Sequence, residues 1–335
     1  MDKVNFEELF QSFSRLRVGV IGDLMLDTYW VGKVDRISPE APVPIVSISG
    51  KEQRIGGAGN VALNLAAFKL SVHALGVIGK DDEGEYLNRL LQHHNIHTDF
   101  LVLSKSRPTS NKIRIIGRNQ QMMRLDSETT RYLDADETKT LLDSFDRYMD
   151  VVKPHLLIFE DYNKGVLPEE VITYCIARCK RDGVITSVDP KRKNFFAYKE
   201  VDLFKPNFQE ARDGLNLPYA EISEPLLRDM HRLLTDRLSN KISLITLSER
   251  GIFFEGNGLS RIIPTHVRKI ADVSGAGDTV IAVSSIVYAA TGNLELMAEM
   301  ANIAGGLVCE EVGTVAIQPD KLIKECIALL GNADK

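Results

Sequence analysis

The chain has 335 residues, of which 44% are hydrophobic and 26% charged, and a formal net charge of −5. That composition suits one large α/β domain and gives no electrostatic footing for nucleic acid. It contains no apolar run of bilayer-spanning length, and its first residues, Met1 to Glu8, are polar. The four cysteines (Cys175, Cys179, Cys309 and Cys326) lie in apolar or helical surroundings. No His/Cys partner completes a zinc pattern, so buried free thiols in a reducing cytoplasm are expected.

A short amphipathic helix opens the chain. Arg17-Val18-Gly19-Val20-Ile21-Gly22-Asp23 then reads as a buried strand ending in a glycine and a carboxylate. Ligands of open α/β sheets sit beyond the carboxyl ends of the strands, where Asp23 and Asp27 would lie. Residues 28–50 are rich in Val, Ile and Pro, and Val43 to Ile48 alternate as a strand does. Gly56-Gly57-Ala58-Gly59-Asn60 opens a helical stretch, Ser71 to Ile78 is a further strand, and residues 100–125 read as paired strands. The two β-rich insertions, 28–50 and 100–125, are expected to pair as one small sheet over the active site. From about residue 133, apolar runs at 156–159, 185–188, 203–205 and 243–246 alternate with helical periodicity. That rhythm implies right-handed βαβ crossovers and a largely parallel sheet flanked by helices. Without a repeat or a linker, residues 1–335 are expected to form a single domain.

The most informative segment is Asp272-Val273-Ser274-Gly275-Ala276-Gly277-Asp278-Thr279. Small residues let the backbone approach a ligand, and the apolar helix that follows adds unsatisfied N–H groups and a positive dipole end. Asp278 is then a carboxylate beside an anion site, suited to taking a proton from a hydroxyl that attacks a phosphate. A capped helix start is the alternative. Other residues also have two readings. Asp27 fits a sugar hydroxyl or a turn cap, and Gly56, Gly57 and Asn60 fit a ligand or a helix-opening turn. Lys112 and Arg114 share one strand face and, with Arg118 and Arg124, fit a phosphate or a solvated stripe. Lys191 fits nucleotide phosphates or a solvated loop cluster. Asn207 and Glu210 fit water-mediated Mg²⁺ placement or a capping box.

The octet resembles the signature of the ribokinase-like (PfkB) carbohydrate kinases, and the resemblance covers nearly the whole chain. Gly22 to Trp30, Arg36 to Pro44, Gly56 to Ala62, Arg118 to Asp126 and Asp161 to Gly165 are similar to the heptose-phosphate kinases. The resemblance implies ATP-dependent phosphorylation of O1 of D-glycero-β-D-manno-heptose 7-phosphate, for heptose-nucleotide synthesis. It implies Asp278 as base and Gly275, Ala276 and Gly277 as anion hole. Asp23, Asp27, Gly56, Gly57, Asn60, Lys112, Arg114, Arg118, Asp126, Asp161 and Lys164 are the implied substrate residues. Lys191, Asn207, Glu210, Thr246, Ser248, Gly251 and Asn302 are implied for the nucleotide, although close helix packing also explains Asn302. Mg²⁺ would be placed by Asn207 and Glu210, and K⁺ by Asp272 and Ser274. A homodimer through the small sheets is implied as well. Many such kinases are fused to a nucleotidyltransferase with a His-x-Gly-His motif, which none of the seven histidines here forms, so this chain is expected to perform the kinase step alone. The competing readings are a kinase for a ketohexose phosphate, pentose or nucleoside, and a non-catalytic sensor, which would have no need of Asp278.

Overall fold

The computed structural model describes residues 4–117, 120–266 and 268–331. Two sheets organise the chain. The larger has nine strands in the order β13-β12-β11-β10-β9-β8-β1-β4-β5. These are β1 (Arg17–Gly22), β4 (Ser71–Gly79), β5 (Ile96–Ser104), β8 (Leu156–Glu160), β9 (Ile185–Asp189), β10 (Leu203–Phe204), β11 (Ile242–Thr246), β12 (Ile252–Gly256) and β13 (Leu259–Ile263). Strands β11 through β5 run parallel, while β12 and β13 form an antiparallel edge. Strand β8 is buried along its whole length, and β1 and β4 in all but their first residues, as a sheet covered on both faces requires.

Two apolar layers cover it. Helices α1 (Phe6–Phe13), α2 (Ala58–Ala66), α3 (Asp82–His93), α8 (Ala276–Thr291), α9 (Leu294–Val308) and α10 (Pro319–Leu330) pack on one face. Helices α4 (Ala135–Val152), α5 (Glu169–Asp182), α6 (Phe208–Gly214) and α7 (Glu224–Leu238) pack on the other. No helix among the described residues is long and apolar enough to cross a membrane. All four cysteines are free thiols, with Cys175, Cys179 and Cys326 buried.

The smaller sheet has the order β3-β2-β6-β7, built from β2 (Leu24–Ile37), β3 (Pro44–Gly57), β6 (Ser110–Gly117) and β7 (Gln120–Ser127). Its bounds differ from those read in the sequence. Residues 100–104 belong to β5, which pairs in parallel with β4 at the edge of the large sheet. Ile96, Phe100 and Val102 turn into the core there, so this run of strand is claimed by the main domain. At the other end β2 begins at Leu24 inside the core and runs outward without a break.

Candidate active site

Four parallel strands converge at their carboxyl ends. The chain leaving β1 supplies Asp23, β8 ends at Glu160 followed by Asp161, β9 ends at Asp189, and Lys205 follows β10. Helix α8 points its amino terminus at this edge. Gly275 has a φ of 80°, and a Cβ there would lie 2.9 Å from Asn60 Nδ2, so the turn needs both the left-handed conformation and the missing side chain. The Asp278 carboxylate, in the first turn of α8, accepts Asn60 Nδ2 at 2.7 Å and the Tyr162 hydroxyl at 2.8 Å. Burial pushes this carboxyl up to about 6, against the lowering effect of those two bonds. Asn60 Oδ1 is buried and, among the described residues, has no donor, so it is an acceptor open to a ligand hydroxyl.

Glu160, Asp189 and Asp278 each offer one oxygen, and these three lie within 4.8 Å of one another. Both Glu160 oxygens are buried and, among the described residues, unpartnered. Burial and the neighbouring Asp189 and Asp278 carboxylates push Glu160 well above the ordinary carboxylate range. Asp189 is held low despite its burial by Lys191 and Lys205, whose ammonium groups lie 3.3 and 2.7 Å from its oxygens. A buried orphaned carboxylate among hard oxygen donors fits a divalent cation such as Mg²⁺. Asn207 and Glu210 form a reciprocal capping box at the start of α6, with bonds of 2.8 and 2.9 Å. Glu210 reaches the acidic cluster through Lys191, 2.7 Å from its Oε1.

The small sheet presents a charged face to this centre. Asp27 and Tyr29 on β2 lie in register with Lys112 and Arg114 on β6, and Arg54 on β3 lies opposite Asp27. Side chains at paired positions share one face of a sheet. Arg114 is ion-paired with Asp27 at 2.5 Å, and its guanidinium lies 5.3 Å from the Tyr29 ring centre. Lys112 sits 5.2 Å from the Tyr162 ring centre and, among the described residues, has no carboxylate within salt-bridge distance. Arg124 is bound to Asp126 on β7 at 2.8 and 2.9 Å, and Arg118 lies outside the described residues. A Cβ on Gly56 would fall 2.3 Å from Asp27 Oδ2, and one on Gly57 2.4 Å from the Asp23 carbonyl.

Other charged residues read from the sequence are bonded to neighbouring segments. Asp23 is almost fully buried and accepts the amides of Tyr162, Lys164 and Val166 at 2.8, 3.0 and 3.2 Å. Asp161 accepts the Asn163 amide and the Tyr198 hydroxyl. Lys164 is ion-paired with Glu128 at 2.5 Å. Together they fix the turn that aims Tyr162 at Asp278. On the far side of the α8 terminus lies a cavity of about 440 Å³, lined by Thr246, Ser248, Gly251, Ala276, Gly277 and Asn302 with apolar Ile252 and Val280. Asn302 donates to the Pro264 carbonyl at 2.8 Å. Asp272 and Ser274 are bonded to each other at the head of the glycine turn.

Glu160, Tyr162 and Lys205 were given no role from the sequence. The available signal was a run of strands each ending in a charged residue, but only assembly shows which of those charges face one another.

The nine-stranded sheet, the buried Asp278 carboxylate at a glycine-opened helix and the cavity beside it accord with the family that the sequence matches. The description "pfkB family carbohydrate kinase" matches residues 15–321, and the chain belongs to that family. The chain is 36% identical over 329 residues to the "Bifunctional protein HldE" of Syntrophotalea carbinolica, covering 96% of this chain but 65% of that protein. The chain thus spans somewhat less than two thirds of that relative's length. Escherichia coli phosphofructokinase-2 in complex with potassium superposes with a TM-score of 0.77 at 18% identity, over 92% of this chain and 99% of that one. Arabidopsis thaliana ribokinase with ribose and ATP gives a TM-score of 0.70 at 16% identity, over 92% of this chain and 99% of that one.

Proposed function

We propose that this kinase transfers the γ-phosphoryl group of ATP to O1 of D-glycero-D-manno-heptose 7-phosphate, giving the 1,7-bisphosphate for heptose-nucleotide synthesis in the cytoplasm. The observation that carries a phosphorylated substrate is Lys112, a half-buried cation facing the site with no carboxylate partner among the described residues. Such a charge calls for an anion, and a sugar that already bears phosphate supplies one. The narrowing to heptose rests on the similarity of Arg36 to Pro44 and Arg118 to Asp126 to the heptose-phosphate kinases.

In this reading the sugar lies between the charged face of the small sheet and Asp278, with Asn60 Oδ1 accepting one of its hydroxyls. Asp278 takes the O1 proton as O1 bonds to the γ-phosphorus, and the bond to the β,γ-bridging oxygen breaks to release ADP. The amides of the Gly275–Gly277 turn and the α8 dipole face the charge carried by the transferred group. Mg²⁺, held by Glu160 and Asp189, would neutralise part of the phosphate charge. The nucleotide would fill the cavity beside Asn302. The outer face of the small sheet carries Met123 and Leu125, both exposed, opposite Ile115 and Ile113. That apolar face supports a homodimer formed through the small sheets.

Turnover measured across a panel of phosphorylated and unphosphorylated heptoses, ketohexoses and pentoses tests the substrate. Lys112→Ala is the informative variant, because Arg114→Ala would also strand the buried Asp27 charge. Loss of Lys112 should weaken the 7-phosphate by ~1.5–3 kcal/mol and leave the bare heptose nearly unchanged. Equal losses for both ligands would move the phosphate pocket elsewhere.

A further inference from the structure

The oxygen donors around Asp272 are already committed, in a way that does not fit a free monovalent cation. Asp272 Oδ1 accepts the Ser274 amide at 2.9 Å and the Ser274 hydroxyl at 2.8 Å, and Oδ2 accepts the Gly313 amide at 3.0 Å. The carbonyls flanking Gly313 are taken too. Arg54 Nη1, reaching across from β3, donates to the Val312 carbonyl at 3.3 Å and to the Thr314 carbonyl at 3.4 Å. A carboxylate next to converging carbonyls is the donor set a monovalent ion would use, and here a guanidinium faces the carbonyls.

The surroundings are shaped for that guanidinium. Its Nε donates to Glu52 Oε1 at 2.6 Å, and its plane carbon lies 5.1 Å from the Tyr29 ring centre. Gly313 has a φ of 76°, and a Cβ there would fall 2.3 Å from Arg54 Nη1. Any side chain at 313 would push the guanidinium off its carbonyls. The loop it holds lies directly behind the anion hole, since a Cβ on Gly275 would meet Thr314 Cγ2 at 3.1 Å. A continuous path therefore runs from Arg54 through the 312–314 loop and Asp272 to Ser274 and the glycine turn.

We propose that Arg54 is the resident cation of this site. It is a positioning residue that does the work of a bound monovalent ion, holding the 312–314 loop and thereby the Gly275–Gly277 turn in working geometry. Because Arg54 lies on β3 opposite Asp27, the same contact couples the seating of the small sheet on the main domain to formation of the anion hole. The inference rests on the kinase class alone and not on the identity of the sugar.

The test is nucleotide binding and turnover at constant ionic strength, with Mg²⁺ present and tetramethylammonium as the sole monovalent cation, before and after adding K⁺ or guanidinium. ADP affinity is read by calorimetry without sugar, so an error in the assigned substrate leaves this arm intact. The wild-type protein should show the same ADP affinity and turnover with and without K⁺. Arg54→Ala should lose about tenfold or more in turnover, as expected for charge-assisted bonds, with Arg54→Lys losing less. Low-millimolar guanidinium or K⁺ should recover several-fold of that loss, whereas tetramethylammonium, too large for the carbonyls, should not. Gly313→Ala should reproduce the loss with Arg54 in place. Activation of the wild type by K⁺ overturns the proposal. So does an Arg54→Ala protein that melts like the wild type and responds to neither cation.

Discussion

Asp278 gathers what a catalytic carboxylate needs. Burial raises its proton affinity, Asn60 and Tyr162 orient it, and its neighbours at the end of β9 set the local charge. A base must be ionised to act, and this carboxyl titrates at about 6 in the free protein. With saturating ATP, kcat/KM for the sugar should therefore fall about tenfold per unit as pH drops below that value, and level off above it. Tyr162→Phe removes a bond that favours the ionised form, so the same limb should move to higher pH. Asp278→Asn keeps the size but removes the base, and leaves one acceptor oxygen where Asp278 uses two. Turnover should drop by ~10²–10⁴-fold while ADP binding persists. A mutant turning over near the wild-type rate, or a limb unmoved by Tyr162→Phe, would remove Asp278 from the role.

Among the elements, α4 shows how a helix start can be welded to a sheet edge. Asp134 and Glu137 form a capping box, and the Glu137 carboxylate also accepts Ser104 Oγ at 2.5 Å and Ser106 Oγ at 2.8 Å from the end of β5 and its turn. Burial alone would raise this carboxyl, but the Ser104, Asp134 and Ser106 bonds, with Arg131, hold it down to about 2. A carboxyl depressed in the folded state stabilises above its unfolded pKa. That contribution is lost as pH falls from about 4.5 toward 2. Glu137→Gln should accordingly cost ~1–3 kcal/mol at neutral pH, read as a lower denaturation midpoint. The gap to the wild type should close as pH approaches 2. A gap that stays constant over that window would show that packing, not charge, carries the effect.

At the scale of the molecule, two sheets of different character share one chain. The large one is packed on both faces, whereas the small one has one charged face, one apolar face and, among the described residues, no core of its own. An element with few buried contacts is where movement costs least. Closure over the sugar would keep water from the transferred phosphoryl group. Sugar phosphate together with a non-hydrolysable ATP analogue should slow amide exchange in residues 24–57 and 110–127 in concert. Sugar phosphate alone should give part of that effect. Strand β5, residues 96–104, should not follow, because it is an edge of the large sheet. Unchanged exchange in the small sheet at saturating ligand would mark it as fixed structure.

Much of this protein was legible from local pattern. Strand and helix periods, the glycine turn before α8 and the charged residues ending buried strands depend on neighbours a few positions away, so the fold class and the place of Asp278 in the first turn of a helix could be read directly. Residues 100–104 could not be assigned to a sheet, because an alternating strand fits either until its partner is known, and β4 is the partner that buries it. Nor could the sequence say which acids are free. Asp23 is consumed by amides about 140 residues on, Asn60 meets Asp278 across 218 positions, and Arg54 finds its carbonyls some 260 residues later. Charge, burial and vacancy belong to the assembled site, since a carboxylate becomes a cap, a base or a metal ligand only through what the rest of the chain brings within 3 Å of it.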